Sequence, residues 1–375
     1  MPSLGADAEP GTLLEWKVKA GDAVKRGDVI AVVESDKGAI EVEVFESGVV
    51  DRILVAPGER VAAGAVLAVL RGAGETAATA PAVPPPPGPA TRPAPTGAHV
   101  RAAPAARARA RELGVDLSTV AGSGPAGAVT REDVEAVAGR HLGPAPPAPP
   151  AEEDRHAAMR RAIAAAMSRS KREIPHYYLS TRIDFSKAGG WIEAANRTRP
   201  PAARLLPAAL LVKAVARAVS DVPEMNGFFA EGAFRAGSGV HVGFAVSMRG
   251  GGLVAPAIHD ADRRSVDEVM AALGDLIART RAGTIRSSEL ADPTITVTSL
   301  GDLGVDSVLG VVNPPQVALV GFGRIADQPW AEGGTVGIRR VVTATLSADH
   351  RVSDGHRGGL FLSAVDRRLS DPGSL

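Results

Sequence analysis

The sequence predicts a multidomain protein: a small all-β unit, a small helical unit and a larger α/β unit, in that order. Three observations carry this. The first 70 residues repeat at a constant offset of 37, two stretches are built almost wholly of Ala, Pro, Gly and Thr, and residues 155–375 interleave helix-period with strand-period segments. At 375 residues the chain is longer than one ordinary domain.

Composition excludes several function classes. Lys+Arg and Asp+Glu are both 42, so no global field favours nucleic acid, and no run of about 18 apolar residues could span a bilayer. The first residues, MPSLGADAEPG, lack the basic and apolar regions of a secretory signal, and the cysteine count is zero, so disulfides and thiol catalysis by the protein are excluded. A cytoplasmic location is the expectation. Aromatics are only 3%, so cores must be built from Val, Leu, Ile and Ala.

In the β unit, residues 1–72, the repeat pairs Gly11 with Gly48, Val18 with Val55, Gly21 with Gly58, Val24 with Val61 and Gly27 with Gly64. Each half has short Val-rich runs between glycine turns, the pattern of a small barrel or sandwich. Between the halves, ESDKGA is flanked by AVV and IEVEV, which reads as a tight hairpin presenting Lys37 to solvent. Such a lysine is ordinarily only a solvated charge. Residues 73–97 are a linker: they lack the large apolar side chains that offset ordering entropy, and polyproline II extends about 3.1 Å per residue.

Residues 98–139 regain helical signals. Pro104 opens a helix to Leu113, and Thr130 caps a second, Arg131 to Ala138, with Asp133 at its third position. A second linker covers 140–154. The α/β unit, 155–375, has helical patterns at 157–172, 186–198, 206–220, 265–282 and 358–369, and strand-like runs at 176–183, 240–248, 294–299, 316–321 and 336–347. A mixed sheet is expected.

Two places in this unit carry chemistry. Val341, Val342, Ala344 and Leu346 lead into Asp349 and His350, so His350 sits where a strand stops and the chain turns. A neutral imidazole there can take a proton from a thiol or hydroxyl near pH 7, and Asp354, four residues on, can orient the turn. In ITVTSLG, strand alternation puts Thr296 and Thr298 on one face and Ser299 on the other, and a hydroxyl at a strand end can donate to a developing oxyanion. The glycines 250–252 more often form a flexible loop than a ligand cradle.

The two-half repeat with ESDKGAIEVEV at its junction resembles the lipoyl domain of 2-oxo-acid dehydrogenase complexes, a barrel-sandwich hybrid. That resemblance implies lipoate on Lys37; biotin carriers instead hold their lysine between two methionines. PAARARARELGVDLSTVAGSGPAGAVTREDV resembles the peripheral subunit-binding domain of the same complexes and places partner-binding basic residues at Arg107 and Arg111, but has Ala128 where an Arg is usual. IPHYYLSTRID, GLVAPAIHDAD, ITVTSLGDLG, NPPQVALVGFG and LSADHRVSDG look like the catalytic domain of a dihydrolipoamide acyltransferase, the E2 component, with a chloramphenicol-acetyltransferase-like fold. The resemblance implies His350 as general base, Thr298 as oxyanion donor, Asp354 as the carboxylate of the motif, coenzyme A as co-substrate and no metal. It implies E1 and E3 enzymes as partners and trimers assembled into 24- or 60-subunit cores, His350 and Thr298 of one site coming from neighbouring subunits. The acyl group expected is acetyl, with succinyl or branched-chain groups, or a non-catalytic tethering protein, as alternatives.

Overall fold

The computed structural model describes residues 11–35, 38–62, 64–72, 102–113, 115–117, 120–141, 152–248 and 252–375. The β unit contains β1 (Gly11–Trp16), β2 (Ala23–Val24), β3 (Val29–Ser35), β4 (Gly38–Glu43), β5 (Gly48–Ile53), β6 (Arg60–Val61) and β7 (Ala68–Arg71). β5 and β6 begin 37 residues after β1 and β2, so the sequence repeat is a repeat of strands. The halves exchange their short strands: β6 pairs with β1, and β2 with β5. Leu13, Val24, Val33, Val50 and Val61 fill the space between the two sheets. Gly21 and its repeat mate Gly58 have φ of +98° and +88°, which makes glycine the natural residue at both turns.

The helical unit is α1 (Pro104–Leu113) and α2 (Arg131–His141) around Ala106, Ala110, Val120, Val129 and Val134. Thr130 and Asp133 cap α2 reciprocally: the Asp133 N–H donates to Thr130 Oγ1 (3.3 Å) and the Thr130 N–H to Asp133 Oδ2 (2.9 Å). The Ser123 N–H donates to the same carboxylate (2.8 Å), and these backbone donors hold Asp133 far below the usual carboxylate range.

The α/β unit opens with α3 (Glu152–Glu173), which begins inside the span read as the second linker. There follow β8 (His176–Asp184), α4 (Ser186–Asn196), α5 (Pro207–Ala218), the hairpin of β9 (Gly227–Ala230) and β10 (Ala233–Ala236), then β11 (Val242–Phe244). Next come β12 (Val246–Ser247), β13 (Leu253–Val254), β14 (Ala257–Ile258), α6 (Val266–Ala282), β15 (Ile285–Arg286) and α7 (Ser287–Ala291). The chain closes with β16 (Ile295–Ser299), β17 (Ala318–Phe322), β18 (Ala326–Glu332), β19 (Thr335–Asp349) and α8 (Gly355–Ser370). The mixed sheet has the order β14-β11-β16-β17-β19-β18, with β8 also on β19. β11, β16 and β17 run parallel, and β19 runs antiparallel to all its neighbours. Leu210 and Val215 of α5 and Phe361 and Val365 of α8 pack with Val320 and Leu346 of the sheet into the main core.

The single strand expected over 240–248 is two, because β11 bonds to β14 and β16 whereas β12 bonds only to β13. β18 had no clear signal: Asp327, Gln328 and Pro329 interrupt its apolar pattern, which an edge strand tolerates. No helix among the described residues is long and apolar enough to cross a membrane. The described residues fall into two compact bodies, the helical unit and one that joins the β unit with the α/β unit. In the second body β4 pairs in parallel with β15, Ile40 opposite Ile285 and Glu41 opposite Arg286.

Candidate active site

β19 ends at Asp349, whose side chain is wholly buried. A buried carboxylate must be paired. Asp349 meets this locally: the Arg351 N–H and Nε donate to Oδ1 (both 2.9 Å) and Nη2 to Oδ2 (2.6 Å). The N–H groups of Val352 and Ser353 donate to the Asp349 carbonyl (3.0 and 3.1 Å), so the chain wraps into a turn. His350, between the two charged partners, is left exposed at the turn's outer side. Its N–H donates to the Pro175 carbonyl (3.0 Å), and its ring meets the Tyr177 ring edge-on at 5.3 Å. Tyr177 is fixed in turn by a 2.9 Å hydrogen bond between its hydroxyl and that of Ser353. A Cβ on Gly358 would lie 2.8 Å from the Tyr177 hydroxyl, so glycine there lets α8 approach β8.

Asp354 is the N-cap of α8, accepting the Arg357 N–H at 2.9 Å, and that bond holds its carboxyl below the usual range. Arg357 is engaged by Glu224 (Nη2 to Oε2, 3.0 Å). Behind the turn, His176 Nδ1 lies 2.8 Å from the Ile174 carbonyl, and Nε2 accepts the Val312 N–H at 3.1 Å. That pair of contacts selects the neutral Nδ1–H tautomer, and burial lowers its pKa further.

Thr298 is half-buried near the end of β16, level with Gly321 of β17, which is level with Thr345 of β19. Thr296, on the same face, is committed elsewhere, its hydroxyl donating to Gln316 Oε1 at 2.6 Å. Thr345 precedes His350 by five residues, so one chain separates Thr298 from His350 by about 17 Å along the strands and roughly 10 Å across them. The structure therefore joins His350 and Asp354 on one turn and leaves Thr298 at the other end of the sheet. A cavity of about 230 Å³ opens beside the His350 turn, lined by Ile174, Phe229, Pro314, Pro315 and Arg351 among others. It is smaller than the roughly 300–1,000 Å³ of ordinary ligand pockets.

Lys37 lies outside the described residues; Ser35 and Gly38, on either side of the hairpin tip, face each other in register. Arg107 and Arg111, one helical turn apart on α1, line a hollow of about 520 Å³ with Val115 and Leu117. Asp349, Arg351, Tyr177, Ser353 and His176 were missed as site residues. The signal was a charged pair flanking the histidine at the end of an apolar strand, where burial forces the two to meet.

Comparison with known proteins adds three family matches: 2-oxoacid dehydrogenases acyltransferase (catalytic domain) over residues 149–375, biotin-requiring enzyme over 1–70, and e3 binding domain over 100–135. The chain is 34% identical over 437 residues to the dihydrolipoyllysine-residue acetyltransferase component of the pyruvate dehydrogenase complex of Rhizobium meliloti, covering 99% of this chain and 98% of that one. Its structure resembles that of the Azotobacter vinelandii dihydrolipoamide acetyltransferase (TM-score 0.55, 26% identity, 61% of this chain and 99% of that one). The cubic core of the pyruvate dehydrogenase multienzyme complex is similar to the same extent (TM-score 0.55, 26% identity, 61% and 99%). A family match over more than half the chain, a relative aligned nearly end to end and the shared architecture of the solved cores converge: this protein belongs to the 2-oxoacid dehydrogenase acyltransferase family.

Proposed function

We propose that the protein transfers an acetyl group between S-acetyl-dihydrolipoyl-lysine and coenzyme A, as the E2 core component of a pyruvate dehydrogenase complex. The observation that carries this is a spacing. In the Azotobacter vinelandii enzyme a serine, a histidine and an asparagine were investigated for their role in the catalytic mechanism; the histidine follows the serine by 52 residues and precedes the asparagine by four. Here His350 follows Thr298 by 52 and precedes Asp354 by four. Both differences preserve chemistry. Threonine keeps the hydroxyl donor, and aspartate, like asparagine, accepts a backbone N–H as a helix cap.

A lipoyl group on Lys37 supplies the thioester; the lysine stands in sequence between β3 and β4, whose last and first residues, Ser35 and Gly38, pair in register. His350 takes the proton of the coenzyme A thiol, whose pKa of about 8.5 leaves it mostly protonated at neutral pH. The sulfur forms a bond to the thioester carbonyl carbon, and Thr298 donates to the oxygen as negative charge develops there. As the original carbon–sulfur bond breaks, His350 returns its proton to the departing lipoyl sulfur. Because one chain holds Thr298 and His350 far apart, the site is completed between neighbouring copies, in keeping with a trimer-based core. Arg107 and Arg111 are the docking residues for the E3 partner, and E1 supplies the acyl group.

The test is acyl exchange with full-length, lipoylated protein, using acetyl-, succinyl- and isobutyryl-coenzyme A with dihydrolipoamide. Acetyl should turn over fastest, and intact mass should place one lipoyl group on Lys37, abolished by Lys37→Arg. No acyl exchange by a protein that is lipoylated would overturn the assignment; faster succinyl transfer would overturn the acetyl choice.

A further inference from the structure

Glu43 is a carboxylate at the end of β4, on the edge of the lipoyl-like unit, and it is 7% exposed. Its partners come from the other part of the chain. The Arg286 guanidinium stands 3.6 Å from Oε1, the Ser288 hydroxyl donates to Oε2, and the Glu43 N–H reaches the Ser287 hydroxyl at 3.4 Å. On the same strand Ile40, three residues after Lys37, lies in register with Ile285, and both are buried. An open sheet edge is a template for another strand, and β15 supplies a two-residue one.

The placement of β15 matters for the chemistry. The Ala245 N–H donates to the Val297 carbonyl, so the chain leaves β11 beside Thr298 and turns at once into the β12–β13 hairpin. Val254 of that hairpin packs with Ile285 and Met159, flanked by Met248 and Leu290. The strand that accepts β4 is thus seated on the hairpin that leaves the sheet next to the proposed oxyanion donor.

Resting on the carrier and transferase roles assigned above, we infer that β15 and the first turn of α7 form the docking site at which the acyltransferase recognises its own lipoyl domain, by strand addition along β4 and a Glu43–Arg286–Ser288 polar latch. The contact is small and its charged groups regain water on release, which suits a carrier that must also visit other enzymes. Recognition of the protein part of the substrate would separate the carrier-borne thioester from the free compound.

Full-length, lipoylated protein tests this in two assays run side by side. One follows single-turnover acetylation of the chain's own dihydrolipoyl group by acetyl-coenzyme A, and the other acetylation of free dihydrolipoamide. Glu43→Arg and Arg286→Glu should each slow the first by about tenfold or more and leave the second within about twofold, and the double exchange should recover most of the loss. Retained activity on free dihydrolipoamide reports an intact transferase, and complete lipoylation reports a folded carrier, so a misfolded variant is recognised; Ser288→Ala then serves in its place, with a smaller loss in the first assay alone. Single variants that acetylate their own carrier at the normal rate, or a double exchange as slow as either single one, would overturn the docking site. Absence of activity on free dihydrolipoamide in the unsubstituted protein would instead defeat the transferase assignment.

Discussion

The two ends of the seven-stranded sheet are built in opposite ways. At the His350 end one chain supplies everything that fixes the side chain: a wholly buried Asp349 gripped by Arg351, the Tyr177–Ser353 hydrogen bond and the Asp354 cap. At the Thr298 end the hydroxyl sits half-buried at a strand terminus, beside a hairpin and the strand that takes the lipoyl-like unit. Under the function proposed above, the base would be held in place within one chain, whereas the oxyanion donor would take its base from another copy, so that preorganisation within a chain and assembly between chains are separated.

The comparison breaks first at His350. His350→Ala should lower acetyl exchange by about 10²–10⁴-fold while the oligomer elutes unchanged, since the ring is exposed and contributes little to packing. A near-normal rate would mean that the turn holds a structural histidine. Next in size is Arg351→Ala, which strands the Asp349 carboxylate in the interior. A stability loss of about 2–4 kcal/mol is expected in urea unfolding, larger than for any other exposed arginine of the unit. If Arg351→Ala unfolds at the wild-type midpoint, the turn is not held as described.

The separation of the two ends is tested by mixing. His350→Ala and Thr298→Val chains, each inactive alone, should regain roughly a quarter of wild-type activity when unfolded together and reassembled in equal amounts, because that share of interfaces receives both intact residues. No recovery would place both groups of a site in one chain. A smaller effect concerns His176, which is kept neutral by burial, with its pKa below the ordinary 6.5. The unfolded chain then binds more protons in mild acid, so this contribution to stability is complete above about pH 6.5 and declines as pH falls through the lowered folded value. Melting temperature should drop over that interval, and His176→Asn should flatten the slope. The smallest expected change is in the helical unit. Ala128→Arg should tighten binding of the E3 partner severalfold by calorimetry. Arg131 is exposed and already paired with Glu135 (3.0 Å), so if Arg131→Ala weakens binding while Ala128→Arg changes nothing, Arg131 has taken the role instead.

Local signals carried much of this. The 37-residue repeat announced β1, β2, β5 and β6, and Thr130 with Asp133 announced the start of α2, because turns and caps depend on residues within reach along the chain. The places of His350, Asp354 and Thr298 in the fold were legible for the same reason: strand ends and caps mark themselves. By contrast β18, with a proline among polar residues, was invisible, since only its pairing along the first half of β19 makes it a strand.

The sequence by itself determined the order of the units, the identity of the chemical groups and the motifs that mark them, all of which are written in short segments. The tertiary structure decided which groups meet. Five residues of strand and two strand spacings part Thr298 from His350, a distance set by sheet register and legible in no single motif. The burial of Asp349 and Glu43 likewise arises from packing between distant segments, and a buried charge takes its meaning from the partner brought to it.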